Sequence, residues 1–345
     1  MRTIRTAIIG AGAVVEMYLE QGLLSLRDAG EVEFVTAYSR TPEKAAALAA
    51  RTGAEPCTDL DAALANPALE AVIIATPHAS HAPICLAALS AGKHVLVEKP
   101  IAERLDDARA MVLAARQAGL TLAVFENFRF AEPFLKARQC VEAGDIGDLV
   151  GVLGQRFVYL AGAWTTSNWR AQLDGGGIVI DQLCHYVAAL RLIVGQKITQ
   201  VSALTSRCRS DFAAEDTLAV NLRFDSGLMG QIFLSWASRA DLEPEVRVYG
   251  TDGSLDVYRW PDGRVTLRGA NLPDGPRVLV PRSDFLCHPQ TFREFFTAVR
   301  ERREPVSSGL EGWRDLAVVE AARRSALGGR LEPVEDFAPS GDGAR

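Results

Sequence analysis

Short, almost wholly apolar runs separated by stretches of helical period fill the first third of the chain. Residues 6–9, 32–38, 71–75, 95–97 and 120–125 each read as a strand, and 71–75 is nearly continuously apolar, as expected for a parallel sheet covered on both faces. Helices are predicted from just after Gly12 to about residue 26, over 42–50, over 83–91 ahead of Gly92, and over 105–117 ahead of Gly119. Strand, helix, strand in this order predicts right-handed βαβ units and a doubly wound parallel sheet.

The pattern changes after about residue 148. Residues 149–159, 198–207, 217–224, 228–236 and 245–249 read as longer strands. Leu218, Val220, Leu222 and Phe224 alternate with small or polar positions, which fits a sheet with one buried and one freer face. Asp225-Ser226-Gly227 and Thr251-Asp252-Gly253-Ser254 are hairpin signals. Helices are expected over 177–194, 290–302 and 309–327. The expected architecture is therefore α/β: a parallel doubly wound domain over 1–126, then an α+β domain over 127–335 with a large, mostly antiparallel, open-faced sheet. Residues 336–345 are small and polar and read as a flexible tail. A broad sheet with one uncovered face predicts self-association, as a homodimer or homotetramer.

Composition narrows the class. A chain of 345 residues exceeds what one core usually supports, which favours two domains. The net charge of −6 and the lack of a basic cluster interleaved with aromatics argue against a nucleic-acid partner. No apolar run reaches bilayer-spanning length, and the first residues lack a signal-peptide pattern, so a cytoplasmic protein is expected. Six scattered cysteines without a C-x-x-C pair read as reduced, mostly buried thiols. His78 and His81 are the only close histidine pair and have no neighbouring cysteine or carboxylate in sequence, so no metal site is expected.

Candidate chemistry starts at Glu98-Lys99-Pro100, which ends an apolar strand. In open α/β sheets ligands bind at the carboxyl ends of strands, and Lys99 stands at one. Gly10-Ala11-Gly12 follows the first strand and opens a helix, the setting of a dinucleotide fingerprint. Gly10 allows the tight turn; Gly12 lets a pyrophosphate approach the backbone, with Ala13 and Val14 in the first helical turn. Val15 takes the third glycine position. After the second strand, NAD enzymes place an acid for the ribose 2′-hydroxyl, whereas this chain has Ser39-Arg40 with Lys44 one turn on. Arginine suits a 2′-phosphate, so NADP(H) is expected over NAD(H). Thr76-Pro77-His78 and His81 follow the third long strand, on the expected cofactor path; His81 either contacts the cofactor or caps the next helix. Asp181 and His185 are four apart and leave one helical face. Histidine titrates near neutrality and suits the proton transfer that accompanies hydride transfer, and Lys99 suits a developing oxyanion. Asp181 either orients the imidazole or binds a substrate hydroxyl. Tyr159, Trp164 and Tyr186 are either sugar-stacking rings or core aromatics.

Taken in order, Gly10-x-Gly12, Thr76-Pro77-x-x-x-His81, the run from Ala91 to Pro100 ending Glu98-Lys99-Pro100, Asn127-Phe128-Arg129-Phe130, Trp169-Arg170, and Gly175-Gly176-Gly177 with Asp181-x-x-x-His185 resemble the Gfo/Idh/MocA oxidoreductases. The resemblance implies a Rossmann domain, an open-faced α/β domain, and NAD(P)-linked oxidation or reduction of a sugar-like or cyclitol hydroxyl. It implies Lys99, Asp181 and His185 as catalytic residues, and Glu98, Lys99, Asn127, Trp169 and Arg170 among the cofactor contacts. Ser-Arg after the second strand resembles the NADP-using branch. Two alternatives stand beside it: a catalytically silent dinucleotide-binding regulator and a hydride-shuttling glycosidase on the same fold.

Overall fold

A computed structural model describes residues 2–161, 169–172, 176–239, 244–259, 263–269, 272, 274–280 and 287–338. The chain forms two units: Met1–Glu126 with His288–Arg314 and Phe337–Arg345, and Asn127–Cys287 with Asp315–Asp336. The continuous second domain expected over 127–335 is thus interrupted, because residues 288–314 return to the first unit.

In the first unit the order is β1 (Ile4–Ile9), α1 (Ala13–Tyr18), a π-helical turn (Leu19–Leu23), α2 (Leu24–Asp28), β2 (Val32–Tyr38), α3 (Pro42–Thr52), β3 (Glu55–Cys57), α4 (Leu60–Ala65), β4 (Ala71–Ile74), α5 (His81–Ser90), β5 (His94–Glu98), α6 (Leu105–Ala118) and β6 (Leu122–Phe125). All six strands run parallel in the order β3-β2-β1-β4-β5-β6, the doubly wound arrangement. β3 and α4 are three and six residues long, too short to show a period in sequence.

The physical cause of the interruption is one apolar stripe. Phe292, Phe295, Phe296 and Val299, spaced i, i+3, i+4, i+7, are buried in one core with Ile4, Leu19, Leu23, Val32 and Phe125. They lie on a helix, His288–Glu301, that packs where the π turn holds Gly22: a Cβ there would sit 3.1 Å from the Phe292 ring. The next helix, Gly309–Gly328, starts against β6, where the Val124 amide donates to Ser307 at 2.8 Å. Expected as part of a loose tail, Phe337 instead packs edge-on against Trp313 at 5.0 Å, and Ala338 accepts a hydrogen bond from Arg109.

The second unit holds α7 (Glu132–Glu142), β7 (Leu149–Phe157), α8 (Cys184–Val194), β8 (Ile198–Ser206), β9 (Thr217–Phe224), β10 (Met229–Ser235), β11 (Val246–Gly250), β12 (Gly253–Tyr258), β13 (Arg264–Gly269), β14 (Arg277–Val280) and β15 (Glu332–Pro333). His288–Glu301 is α9 and Gly309–Gly328 is α10. The strands form one sheet ordered β14-β13-β12-β11-β7-β10-β9-β8-β15, antiparallel at every pairing except β7 with β10. Val220, Leu222, Ile232, Leu234, Val248 and Leu255 are buried on the covered face, where Tyr186 of α8 reaches Gly154 of β7. The opposite face leaves Leu204, Met229 and Phe233 exposed. A buried ion triad braces the helices: Asp315 of α10 accepts from Arg129 at 2.7 Å and from Arg191 of α8. Among the described residues no helix is long and apolar enough to cross a membrane.

Candidate active site

The first unit builds a nucleotide edge at the carboxyl ends of its strands. Gly10 leaves β1 with φ 117°, and a Cβ there would fall 2.2 Å from the Ala75 carbonyl oxygen, so only glycine allows this close turn. Ala11 follows, half-buried. Gly12 caps α1 in extended conformation with open space where a Cβ would be and no side-chain cap. Its carbonyl accepts from Val15 and Glu16. The amides of Ala13 and Val14, in the first helical turn, have no acceptor within the helix. These are the groups a pyrophosphate requires, so the turn fits a dinucleotide. Val15 is fully buried in the sheet core, so it fills the packing role of the missing third glycine.

At the end of β2 the hydroxyl of Ser39 accepts from the Thr41 amide at 3.2 Å, which tightens the turn. Arg40 and Lys44 stand exposed beyond it, and neither side chain makes a hydrogen bond or ion pair with any described residue.

Lys99 is half-buried immediately after β5, and its neighbours are specified closely. Glu98 accepts the hydroxyl proton of Tyr18, a fully buried ring set among Phe125, His288 and Phe292. Burial, then the Glu98 charge, raises the phenol well above its ordinary range, so Tyr18 remains a neutral donor. His81 departs from the cofactor role expected for it. Its ring is wholly buried, with Nδ1 at 2.9 Å from the Pro100 carbonyl and Nε2 at 2.9 Å from the Thr76 carbonyl. Both ring nitrogens face carbonyl oxygens, and the neutral imidazole donates to one of the two according to its tautomer, which sets the ring between the end of β4 and the loop carrying Lys99. Burial lowers its pKa against the pull of the two carbonyls, and the Lys99 charge lowers it further. Thr76 accepts the Ser80 hydroxyl at 2.8 Å; Pro77 is exposed; and His78 meets His81 edge-on at 5.6 Å.

In the second unit Asn127, buried, opens the single turn Asn127–Phe130, and its carbonyl accepts from Cys287 Sγ at 2.9 Å. Asp181 sits in a π-helical turn, Val179–Leu183, that leads into α8, a distortion frequent at functional positions. It is buried, and Arg170 Nε donates to its Oδ2 at 2.9 Å. Arg170, expected only as a cofactor contact, is thus also the carboxylate's ion partner. His185 is half-buried, its ring stacked on Phe128 at 4.5 Å and 14°. The Arg259 guanidinium lies 4.1 Å from the same Phe128 ring and is held by Glu245. Phe128 therefore fixes the plane of the imidazole. Tyr186 is fully buried and is a core aromatic; Tyr159 lies under the guanidiniums of Arg209 and Arg239. Trp164, Gly175 and the side chain of Trp169 lie outside the described residues. Tyr18 and Arg259 carried no sequence signal of a site role, and Phe128 appeared only inside the motif Asn127-Phe128-Arg129-Phe130 with no role of its own, because each acts on a partner distant in the chain.

A glycine turn feeding a helix, a lysine at a neighbouring strand end and a second unit built on an open sheet define a dinucleotide-linked oxidoreductase. Residues 4–126 match the oxidoreductase family model with an NAD-binding Rossmann fold, and residues 134–256 match the GFO/IDH/MocA C-terminal domain. The chain belongs to the Gfo/Idh/MocA family. It is 30% identical over 339 residues to a 1,5-anhydro-D-fructose reductase from Ensifer adhaerens, covering 96% of this chain and 98% of that one. It is also 30% identical to a D-apiose dehydrogenase from Paraburkholderia graminis, over 99% of this chain and 93% of that one. Among solved structures, the WlbA dehydrogenase from Bordetella pertussis, in complex with NADH and UDP-GlcNAcA, matches with a TM-score of 0.82 and 27% identity. That match covers 98% of this chain and 99% of the other.

Proposed function

We propose that this oxidoreductase prefers NADP(H) and moves a hydride between the nicotinamide and a hydroxyl or carbonyl carbon of a sugar, sugar derivative or cyclitol. The observation that carries the cofactor reading is the end of β2, where Arg40 and Lys44 stand unpaired among the described residues and no acid takes the ribose position. The glycine turn, with Ala13 and Val14, would hold the pyrophosphate; Ser39, Arg40 and Lys44 the 2′-phosphate. Thr76, Pro77, His78, Glu98, Asn127, Trp169 and Arg170 are the remaining proposed contacts. When bound, the nicotinamide supplies the acceptor or donor of the hydride.

The proton is the chain's task. In the oxidative direction an imidazole nitrogen of His185 takes the hydroxyl proton while Lys99 Nζ stabilises the charge growing on that oxygen. Asp181, held by Arg170, orients the substrate or the imidazole. Support for a sugar-like substrate comes from the reductase and dehydrogenase relatives, whose names specify an anhydrofructose and apiose.

Arg40→Ala removes a charge-assisted contact to phosphate of about 1.5–3 kcal/mol. The expected result is a KM for NADP(H) raised roughly 10- to 100-fold, with the NAD(H) value nearly constant. Steady-state kinetics with both cofactors decide it; an unaltered NADP(H) KM discards the phosphate role.

We also propose that a second copy of this chain covers the exposed sheet face. Leu204, Ala219 and Phe233 are consecutive cross-strand neighbours there, and Met229 and Phe233 are 67% and 42% exposed. Light scattering is expected to give a dimer or tetramer mass, and Met229→Asp with Phe233→Asp to lower it. A mass unchanged by the double substitution assigns the contact elsewhere.

A further inference from the structure

A cleft of about 730 Å³ opens in the first unit at the amino-terminal edge of the parallel sheet, the edge opposite Gly10 and Lys99. Its walls come from the chain before β1, the starts of β5 and β6, the end of α6, the segment after α9 and the first turn of α10. Five arginines face it against two acids, Glu70 and Glu304. Three of the five are already engaged: Arg2 with Glu70, Arg300 with Glu31, and Arg303 with Glu294 and Glu301.

The other two are Arg116 and Arg302, and neither guanidinium forms a hydrogen bond or ion pair with any described residue. Arg116 has its guanidinium 5.1 Å from the Phe337 ring centroid. Arg302 holds a left-handed backbone, φ 55°, just past the end of α9. Glycine is the residue that adopts this conformation freely, and an arginine there costs about 1–2 kcal/mol. A non-glycine residue held in this conformation is a candidate for a role beyond folding.

His94 adds a neutral donor to the same wall. Its Nδ1 accepts the Thr121 amide at 3.0 Å, which places the ring proton on Nε2. Burial lowers its pKa; Glu70 opposes this, and the charges of Arg2 and Arg302 reinforce it. The first turn of α10, from Ser308 to Leu310, opens on the cleft as well.

A concave surface with surplus positive charge concentrates anions. Guanidinium forks match the paired oxygens of phosphate and carboxylate. The volume is that of a small organic ligand's site and far exceeds a single inorganic ion. The geometry points to a binding site for a small, multiply charged oxyanion, an organic phosphate or polycarboxylate, separate from the nucleotide edge and held by Arg116, Arg302 and His94.

The test is isothermal titration calorimetry of the full chain with pyrophosphate and, separately, with citrate, against sodium chloride at matched ionic strength. Expected is saturable binding of at least one of the two, the tighter identifying phosphate or carboxylate as the preferred chemistry. Arg116→Ala with Arg302→Ala is expected to weaken it about tenfold or more, whereas Arg40→Ala at the nucleotide edge leaves it unchanged. Arg302→Gly serves as a second variant, because glycine relieves the left-handed backbone: affinity should fall while the melting temperature does not. Binding of neither anion beyond the chloride control, or binding that the double variant and Arg302→Gly leave intact, overturns the site. Turnover enters none of these readouts.

Discussion

Lys99→Ala and His185→Ala are each expected to lower turnover by roughly 10²–10⁴ while nucleotide affinity stays nearly constant. The size follows from the task. Hydride transfer leaves the substrate oxygen with a proton to shed or acquire, and without a positioned acid–base group that charge must be carried by water. Lys99 stands at a strand's carboxyl end, where such sheets place ligands, and is backed by two fixed neighbours. Glu98 is tied to the buried Tyr18, and the following Pro100 carbonyl is tied to His81. His185 is half-buried rather than sealed, with its ring plane set by Phe128. Stopped-flow or steady-state absorbance of NADPH, alongside fluorescence titration of the nucleotide, separates chemistry from binding. A variant that turns over at the parent rate removes that residue from the proton path. A parent protein that binds nucleotide yet turns over no polyol, aldose or cyclitol favours the silent regulator, and cofactor that stays bound through purification favours the hydride-shuttling glycosidase.

The second large effect lies away from the chemistry. Asp315→Ala should destabilise the second unit by about 3–5 kcal/mol, because it takes from Arg129 and Arg191 a buried carboxylate that both guanidiniums share. All three side chains are less than a tenth exposed, so water compensates little. Denaturant unfolding followed by far-UV circular dichroism measures this; a loss below about 1 kcal/mol shows that the triad is solvated on opening. Replacing all three residues with apolar side chains of similar volume should recover most of the stability, since desolvation of the ions then disappears with their pairing.

The parallel sheet was legible because strand-like apolar stretches alternate with helical ones, most plainly at β4, and the glycine turn because it follows β1. The open-faced sheet was legible through β9, whose alternation is clean. β13 and β14 were not, because Arg264, Thr266, Arg268 and Arg277 give them a polar look that only pairing with neighbours resolves. Asp181 and His185 were visible as a spacing, whereas the grip of Arg170 on Asp181 and the Phe128 stack were not. Those contacts join residues 11 and 57 positions apart, and nothing local records them. His81 stayed open between a cofactor contact and a helix cap for a related reason: sequence placed it near the cofactor path but could not show that its two ring nitrogens face the Pro100 and Thr76 carbonyls. The stripe Phe292, Phe295, Phe296, Val299 announced an amphipathic helix without saying whose core it fills.

That last ambiguity bears on how the protein is made. The nucleotide-binding unit borrows part of its interior from a helix encoded more than 160 residues after β6 has left the ribosome. At typical elongation rates of about 5–20 residues per second, the nascent sheet waits roughly 10–35 s with that flank uncovered. A gene fragment ending at residue 126 would encode the same unfinished object permanently, and chaperone dependence during synthesis is its natural counterpart.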